Sequence, residues 1–170
     1  MTGMLAVLTA GAALASSPDL GKAEGRCGAV ERGPAFLVGV KGLKDRAGQL
    51  KLELYPDNDT DFLADDNVLV ASGKTFRRVE VAVPSTGDVQ LCIRAPAPGV
   101  YALSLLHDRN GDRRFNLNSD GIGFPGDPKL GWSKPRAALA RAVVGTVPAH
   151  IAITLQYRTG LFHFGPLKER

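Results

Sequence analysis

The chain has 170 residues, 44% of them hydrophobic and 22% charged, which excludes wholesale disorder and bounds the protein to one main domain. Its net charge of +4 comes from scattered bases, with short basic runs only at Arg77-Arg78, Arg113-Arg114 and the C-terminal "KER". No continuous basic face or aromatic-basic stripe is present, which argues against nucleic-acid binding, and 20 Gly with 11 Pro favour many turns over long helices.

The opening "MTGMLAVLTAGAALASS" reads as a secretory signal cut after Ala15, although no Lys or Arg precedes Lys22. It is shorter than the roughly 20 apolar residues needed to cross a bilayer, so no transmembrane span is expected. Residues 16–35 form a Gly-rich lead-in that holds Cys27, and Cys92 completes the cysteine set. In an exported chain an even count implies a Cys27–Cys92 disulfide, worth about 4 kcal/mol in the loop-entropy account. Two isolated thiols without a Cys-x-x-Cys pair are a poor metal site.

"FLVGVKGL" (36–43) and "QLKLELY" (49–55) alternate around the turn-forming "KDRAG", and this reads as a β-hairpin. The loop "PDNDTDFLADDN", with Asp57, Asp59, Asp61, Asp65 and Asp66, is expected to be solvated. "FRRVEVAVP" (76–84) and "DVQLCIRAP" (88–96) give a second hairpin. A Pro-Gly turn then leads into a strand bearing Tyr101, Leu103 and Leu105, where a Tyr near the strand start can tie its hydroxyl to nearby backbone while the ring packs inside. "KPRAALARAVVG" (134–145) suits either a short helix near 135–142 or a strand lead-in, and "HIAITLQYR" (150–158) is the last clear strand. The expected architecture is an all-β antiparallel sandwich of about seven strands, immunoglobulin- or prealbumin-like, over 36–158, with a peripheral C-terminal tail at 159–170.

"HDRNGDRRFNLNSDG" (107–121) is the densest chemical stretch. Calcium takes six to eight oxygens from loops with carboxylates or carboxamides at alternate positions. Asp108, Asn110 and Asp112 fill the first, third and fifth positions, Arg114 offers its carbonyl at the seventh, and Asn116 stands at the ninth. Two positions depart: Arg113 occupies the sixth, where Gly is usual, and the twelfth is Ser119, with Asp120 one residue late. Arg109, Arg113 and Arg114 add repulsion, so any calcium site is expected to be weak. The same residues also suit a turn in which Asp and Asn side chains bond the backbone two residues on, with no ion.

No Gly-x-Ser-x-Gly elbow, His-Glu-x-x-His, Walker loop or dinucleotide fingerprint occurs, so no catalytic residue is assigned. A competing hydrolase reading uses His107 with Asp108 or Asp112. Neighbours on a strand point to opposite faces, however, which favours a structural histidine. Trp132 is expected to cap one end of the core, or, if exposed beside Gly131, to stack on a sugar ring. With His107 and Ser133 it marks a candidate ligand surface.

"PGVYALSLLHDRNGD", then "GIGFPGDPKLGWSKP" and "IAITLQY", resemble a family of exported bacterial domains known as domain of unknown function 2141. The likeness covers about 36–158 and rests on Pro98, Gly99, Tyr101, Ala102, His107, Asp108, Asn110, Gly131, Trp132, Ser133 and Tyr157. Asp112, Arg113 and the run Pro135-Arg136-Ala137 depart from its pattern. The resemblance implies export and a small β-domain without a defined reaction, and by analogy of fold it extends to transthyretin-like and collagen-adhesin-type sandwiches. The expectation is therefore a periplasmic or secreted, non-enzymatic binding or envelope accessory module. Its Asp/Asn loop would take calcium weakly, and its partner would be an envelope protein or a glycan.

Overall fold

A computed structural model describes residues 19–161 and 163–168. The signal segment expected at 1–15 lies outside the described residues. Two β-sheets face each other. The smaller holds β1 (Ala35–Lys41) between β4 (Val89–Arg94), antiparallel to it, and β8 (Ala149–Thr154), parallel to it. The larger runs β10 (Phe164–Pro166), β9 (Gln156–Arg158), β6 (Gly121–Gly123), β5 (Gly99–Asp108), β2 (Gln49–Pro56) and β3 (Arg77–Ala82). β7 (Arg141–Val144) pairs with the first half of β5. The fold is the expected all-β sandwich, with ten strands among the described residues.

The expected strands form, except that 150–158 divides at Leu155 into β8 of the smaller sheet and β9 of the larger, and the expected hairpins do not. β1 pairs with β4 and β8, and β2 pairs with β3 and β5, so the turn between β1 and β2 crosses from one sheet to the other. The turn between β3 and β4 does the same. Alternation fixes which face of a strand is apolar and leaves its hydrogen-bonding partner open. Phe36 and Val38 of β1 and Leu50, Leu52 and Leu54 of β2 all enter one buried core, so these strands meet through side chains across the sandwich. Burying each such side chain contributes about 1.5–3 kcal/mol, which favours facing over pairing here.

Tyr101 fulfils the role expected of it. Its hydroxyl donates to the Ala97 carbonyl at 2.9 Å while its ring packs edge-on against Phe36 in the core.

β2 is buried on both faces, since a second apolar cluster covers the outside of the larger sheet. Tyr55, Phe62, Phe76 and Phe124 lead that cluster, closed by α2 (Asp66–Ala71) and the loops around it. Here the acidic loop departs from the solvated loop expected. Asp57 pairs with Arg141 at 2.7 Å, Asp59 accepts from the Ala137 amide at 2.7 Å, Asp65 caps α2, and Asp66 is buried against Arg78 at 2.9 Å. A three-residue 3-10 turn (Ala137–Leu139) stands at the expected helix, and Val143-Val144 continue into β7.

Both ends of the described chain join the fold more closely than expected. α1 (Lys22–Gly25) packs by β3, and Cys27 is bonded to Cys92 of β4. The tail expected to be peripheral supplies β10, antiparallel to β9.

Candidate functional site

His107 and Asp108 end β5 and, being consecutive on a strand, serve opposite faces of the larger sheet. His107 is fully buried. Its Nε2 lies 2.8 Å from the Ala47 carbonyl, and its Nδ1 lies 2.7 Å from the Tyr157 hydroxyl. A carbonyl only accepts, so Nε2 carries the proton, and Nδ1 accepts from Tyr157. The hydroxyl oxygen also accepts the Lys44 amide at 3.1 Å. Burial holds the His107 pKa below its ordinary value of 6.5 and pushes Tyr157 up to about 12. A neutral ring with both nitrogens committed has none left to move a proton for Asp108 or Asp112, against the hydrolase reading.

Asp108, also fully buried, organises the loop after β5. One carboxylate oxygen accepts the Gly111 amide at 2.8 Å, and the other accepts the Arg113 amide at 2.7 Å and Gln49 Nε2 at 3.2 Å. Asp120 closes the far end, accepting the amides of Arg109 at 3.1 Å and Asn116 at 2.8 Å. Between them, Asp112 accepts from the Arg114 amide and from Asn110 Nδ2, each at 2.8 Å. That amide, with Asn110, holds the Asp112 carboxyl below its ordinary pKa. Oxygens of Asp108, Asp112 and Asp120 all lie within 4.8 Å of one another. Of the residues expected to be ligands, these three converge, and Asn110 joins them through Asp112. Asn116 instead turns its side-chain oxygen to the Asn118 amide at 3.1 Å.

Arg113 holds the sixth position with φ 64°, the left-handed conformation for which Gly is usual there. Its carbonyl accepts Lys51 Nζ at 3.2 Å, and its guanidinium lies 3.6 Å from Glu80. The loop therefore keeps the sharp turn while carrying a cation at its apex. Arg109 forms a close ion pair with Asp45, whose pKa that bond lowers, and also donates to the Ser119 carbonyl at 3.1 Å, beside Asp120.

The outer wall of the loop is apolar. Phe115 and Leu117, two residues apart, face a groove of about 320 Å³ shared with Ile122, Leu130, Trp132 and Phe164. Phe115 and Phe164 meet edge to face at 6.1 Å, and Arg158 of β9 bonds Asn118 at 2.6 Å, tying the loop to the sheet edge. Trp132 is 61% exposed, so it lines this groove and does not cap the core as expected. Ser133 lines it too, whereas His107, on the inner face of the sheet, does not belong to this surface. Sequence reasoning missed Phe115, Leu117 and Phe164. The signal for the first two was the apolar alternation in "RFNLN", masked by the polar residues around it.

A buried ionic cluster lies behind the loop. Arg78 bonds Glu53 at 2.8 Å and Asp66 at 2.9 Å, and Tyr55 donates to Glu53 at 2.7 Å. Among the described residues no helix is long and apolar enough to cross a membrane.

No curated protein and no solved structure matches the chain. Residues 38–151 match the family model described as "Uncharacterized protein conserved in bacteria (DUF2141)", a span that holds the Tyr101 strand, the Asp108–Asp120 loop and the Trp132 segment. The chain belongs to this bacterial family, domain of unknown function 2141.

Proposed function

We propose that this protein is an exported, non-enzymatic binding module of the bacterial envelope, periplasmic or secreted, whose groove beside the Asp108–Asp120 loop receives an apolar group of its ligand. The observation that carries the reading is that one loop does two things. Its carboxylates fix its backbone through hydrogen bonds, and its Phe115 and Leu117 build a wall opposite the exposed Trp132. The 320 Å³ groove matches the lower range of ligand pockets, roughly 300–1,000 Å³. Its mainly apolar lining suits a hydrocarbon or aromatic group better than the hydroxyls of a glycan. Export is supported by the Cys27–Cys92 disulfide, a bond typical of oxidising compartments. The committed nitrogens of His107 support a binding rather than a hydrolytic role.

Calcium enters this account as a weak stabiliser of the groove wall, with Asp108, Asp112 and Asp120 as its ligands. The groove itself is tested with 1-N-phenylnaphthylamine, a neutral dye whose emission rises in apolar sites. Wild-type protein is expected to bind it saturably, and Leu117→Asp, a change in the wall, to lose binding while keeping the wild-type circular dichroism. Equal binding by both proteins, or none by wild type, would overturn the groove as the site.

A further inference from the structure

A strand at the edge of a sheet carries backbone donors and acceptors without partners, and most edges of this sandwich are covered or short. On β3, the Arg78 amide donates to the Gly21 carbonyl, just before α1, at 3.1 Å. On β4, Arg26 bridges Ile93, and the Cys27–Cys92 bond holds the lead-in alongside. β7 and β10 have only four and three residues. β8 differs: it has six residues, and among the described residues it pairs with β1 alone.

Two hydrogen bonds fix which groups this edge presents. The Leu155 amide, just past β8, turns to the β1 side and donates to the Lys41 carbonyl at 2.9 Å, whereas the Thr154 amide turns away and donates to Asp127 at 2.7 Å. Successive residues of a strand aim their N–H and C=O groups at opposite edges, so His150 and Ala152 aim theirs outward as Thr154 does. Among the described residues nothing bonds these four groups, and both residues are exposed. From Gly145 to Thr154 the chain holds no Asp, Glu, Lys or Arg, so the edge lacks the charge that commonly blocks pairing.

We propose that β8 pairs with β8 of a second copy, antiparallel about a two-fold axis at Ile151. In this register His150 of each copy stands opposite Ala152 of the other, and the two pairs satisfy all four free groups of each copy. Between them the two Ile151 side chains form a non-hydrogen-bonded pair, the closer kind. Ile151 is partly buried and packs on the core from the edge, so the contact extends one core into the next and joins two three-stranded sheets into one of six. The same register ends the ladder cleanly. Opposite Thr154, whose amide Asp127 holds, stands Pro148, which has no N–H to offer. A second copy is favoured over an unrelated strand because the free groups are symmetric about one residue and both stops fall at one position. No like charges meet across the contact, and a two-fold pairing closes at the dimer.

Sedimentation equilibrium of the mature, oxidised protein tests the pairing. The ladder is short, so a dimer with a Kd on the order of 10–100 µM is expected, the weak end of specific interfaces. Ala152→Pro removes an outward N–H that the monomer does not use, and Ala152→Lys keeps that N–H but places a charge on the edge. Each should weaken the dimer at least about tenfold while the melting midpoint of the dilute protein stays near wild type. If the proline disturbs folding, the lysine variant decides. In hydrogen exchange of wild type, the His150 and Ala152 amides should slow as protein concentration rises. A monomer up to about 1 mM would leave the edge to an extended segment of another protein and overturn self-pairing. Growth beyond the dimer, or a dimer that both substitutions leave unchanged, would overturn it as well.

Discussion

Tyr157 donates its hydroxyl proton to Nδ1 of His107 across 2.7 Å, and both residues are almost wholly buried. The folded protein therefore favours the neutral imidazole, with a pKa below 6.5. Below about pH 6.5 the unfolded chain binds a proton that the folded chain refuses, so the stability from this site is complete above that pH and is lost as pH falls towards the folded pKa. Melting midpoints should fall between pH 7 and pH 5.5, and His107→Gln, though less stable overall, should flatten that slope. Further loss below pH 4 follows from Asp45 and Asp112, whose pKa values lie below the ordinary 3.8.

Gly121 passes directly over Tyr157. A Cβ at this position would lie 2.4 Å from the ring, a distance no carbon pair tolerates, although the backbone dihedral itself is not of the left-handed kind. Gly121→Ala should destabilise by about 1–3 kcal/mol as β6 or the ring gives way. Chemical denaturation measures the loss, and it should be accompanied by weakened protection of the neighbouring Asp120 end of the loop in hydrogen exchange.

Arg78 is the hub of the buried ionic cluster, and removing it takes from Glu53 and Asp66 the cation they share, while Glu53 keeps Lys51 at 3.3 Å. Arg78→Met should cost about 3–5 kcal/mol. The triple change Arg78→Met, Glu53→Leu, Asp66→Leu should recover part of that loss, because neither buried carboxylate then remains in place without the guanidinium it faced. Urea melts of both variants distinguish an ionic hub from simple packing.

Arg113 keeps a left-handed backbone at the loop apex, which costs a non-glycine residue about 1–2 kcal/mol. Arg113→Gly relieves that cost but frees the unfolded chain by about 0.4–1 kcal/mol and loses the part-exposed pair with Glu80, so its stability without metal should stay within about 1 kcal/mol of wild type. The calcium response should change more. Removing the positive side chain is expected to enlarge the rise in melting midpoint between chelator and calcium, and Asp112→Asn to shrink it. No calcium-dependent rise in any of the three proteins would mean that the loop is held by its own hydrogen bonds alone.

Period-two alternation made β1, β2, β3, β4 and β5 legible in sequence, as did the role of Tyr101. Their partners were not legible, because a short polar turn such as residues 42–48 serves a hairpin or a crossing between sheets equally well. The choice is made by apolar faces meeting across the core, a property of the whole chain. Lys51, Glu53 and Arg78 alternate with apolar residues and look like a solvent face, yet all three are buried on the side of the sheet that carries the second cluster. In the candidate site, spacing brought Asp108 and Asp112 together, whereas Asp120, one residue past the expected twelfth position, joins them only in the fold. The groove could not be anticipated, since Phe115, Trp132 and Phe164 come from three separate segments that only the folded sheet brings together.

The groove is tested most directly through the indole N–H resonance of Trp132, the one such signal the chain can give in a nitrogen-resolved NMR spectrum. Titration with phenylnaphthylamine should shift it saturably together with the amides of Phe115 and Leu117, while the amide of His150, on β8 of the smaller sheet, stays in place. An unmoved indole signal with shifts elsewhere, or no saturable shift at all, would contradict a ligand-binding groove beside the Asp108–Asp120 loop.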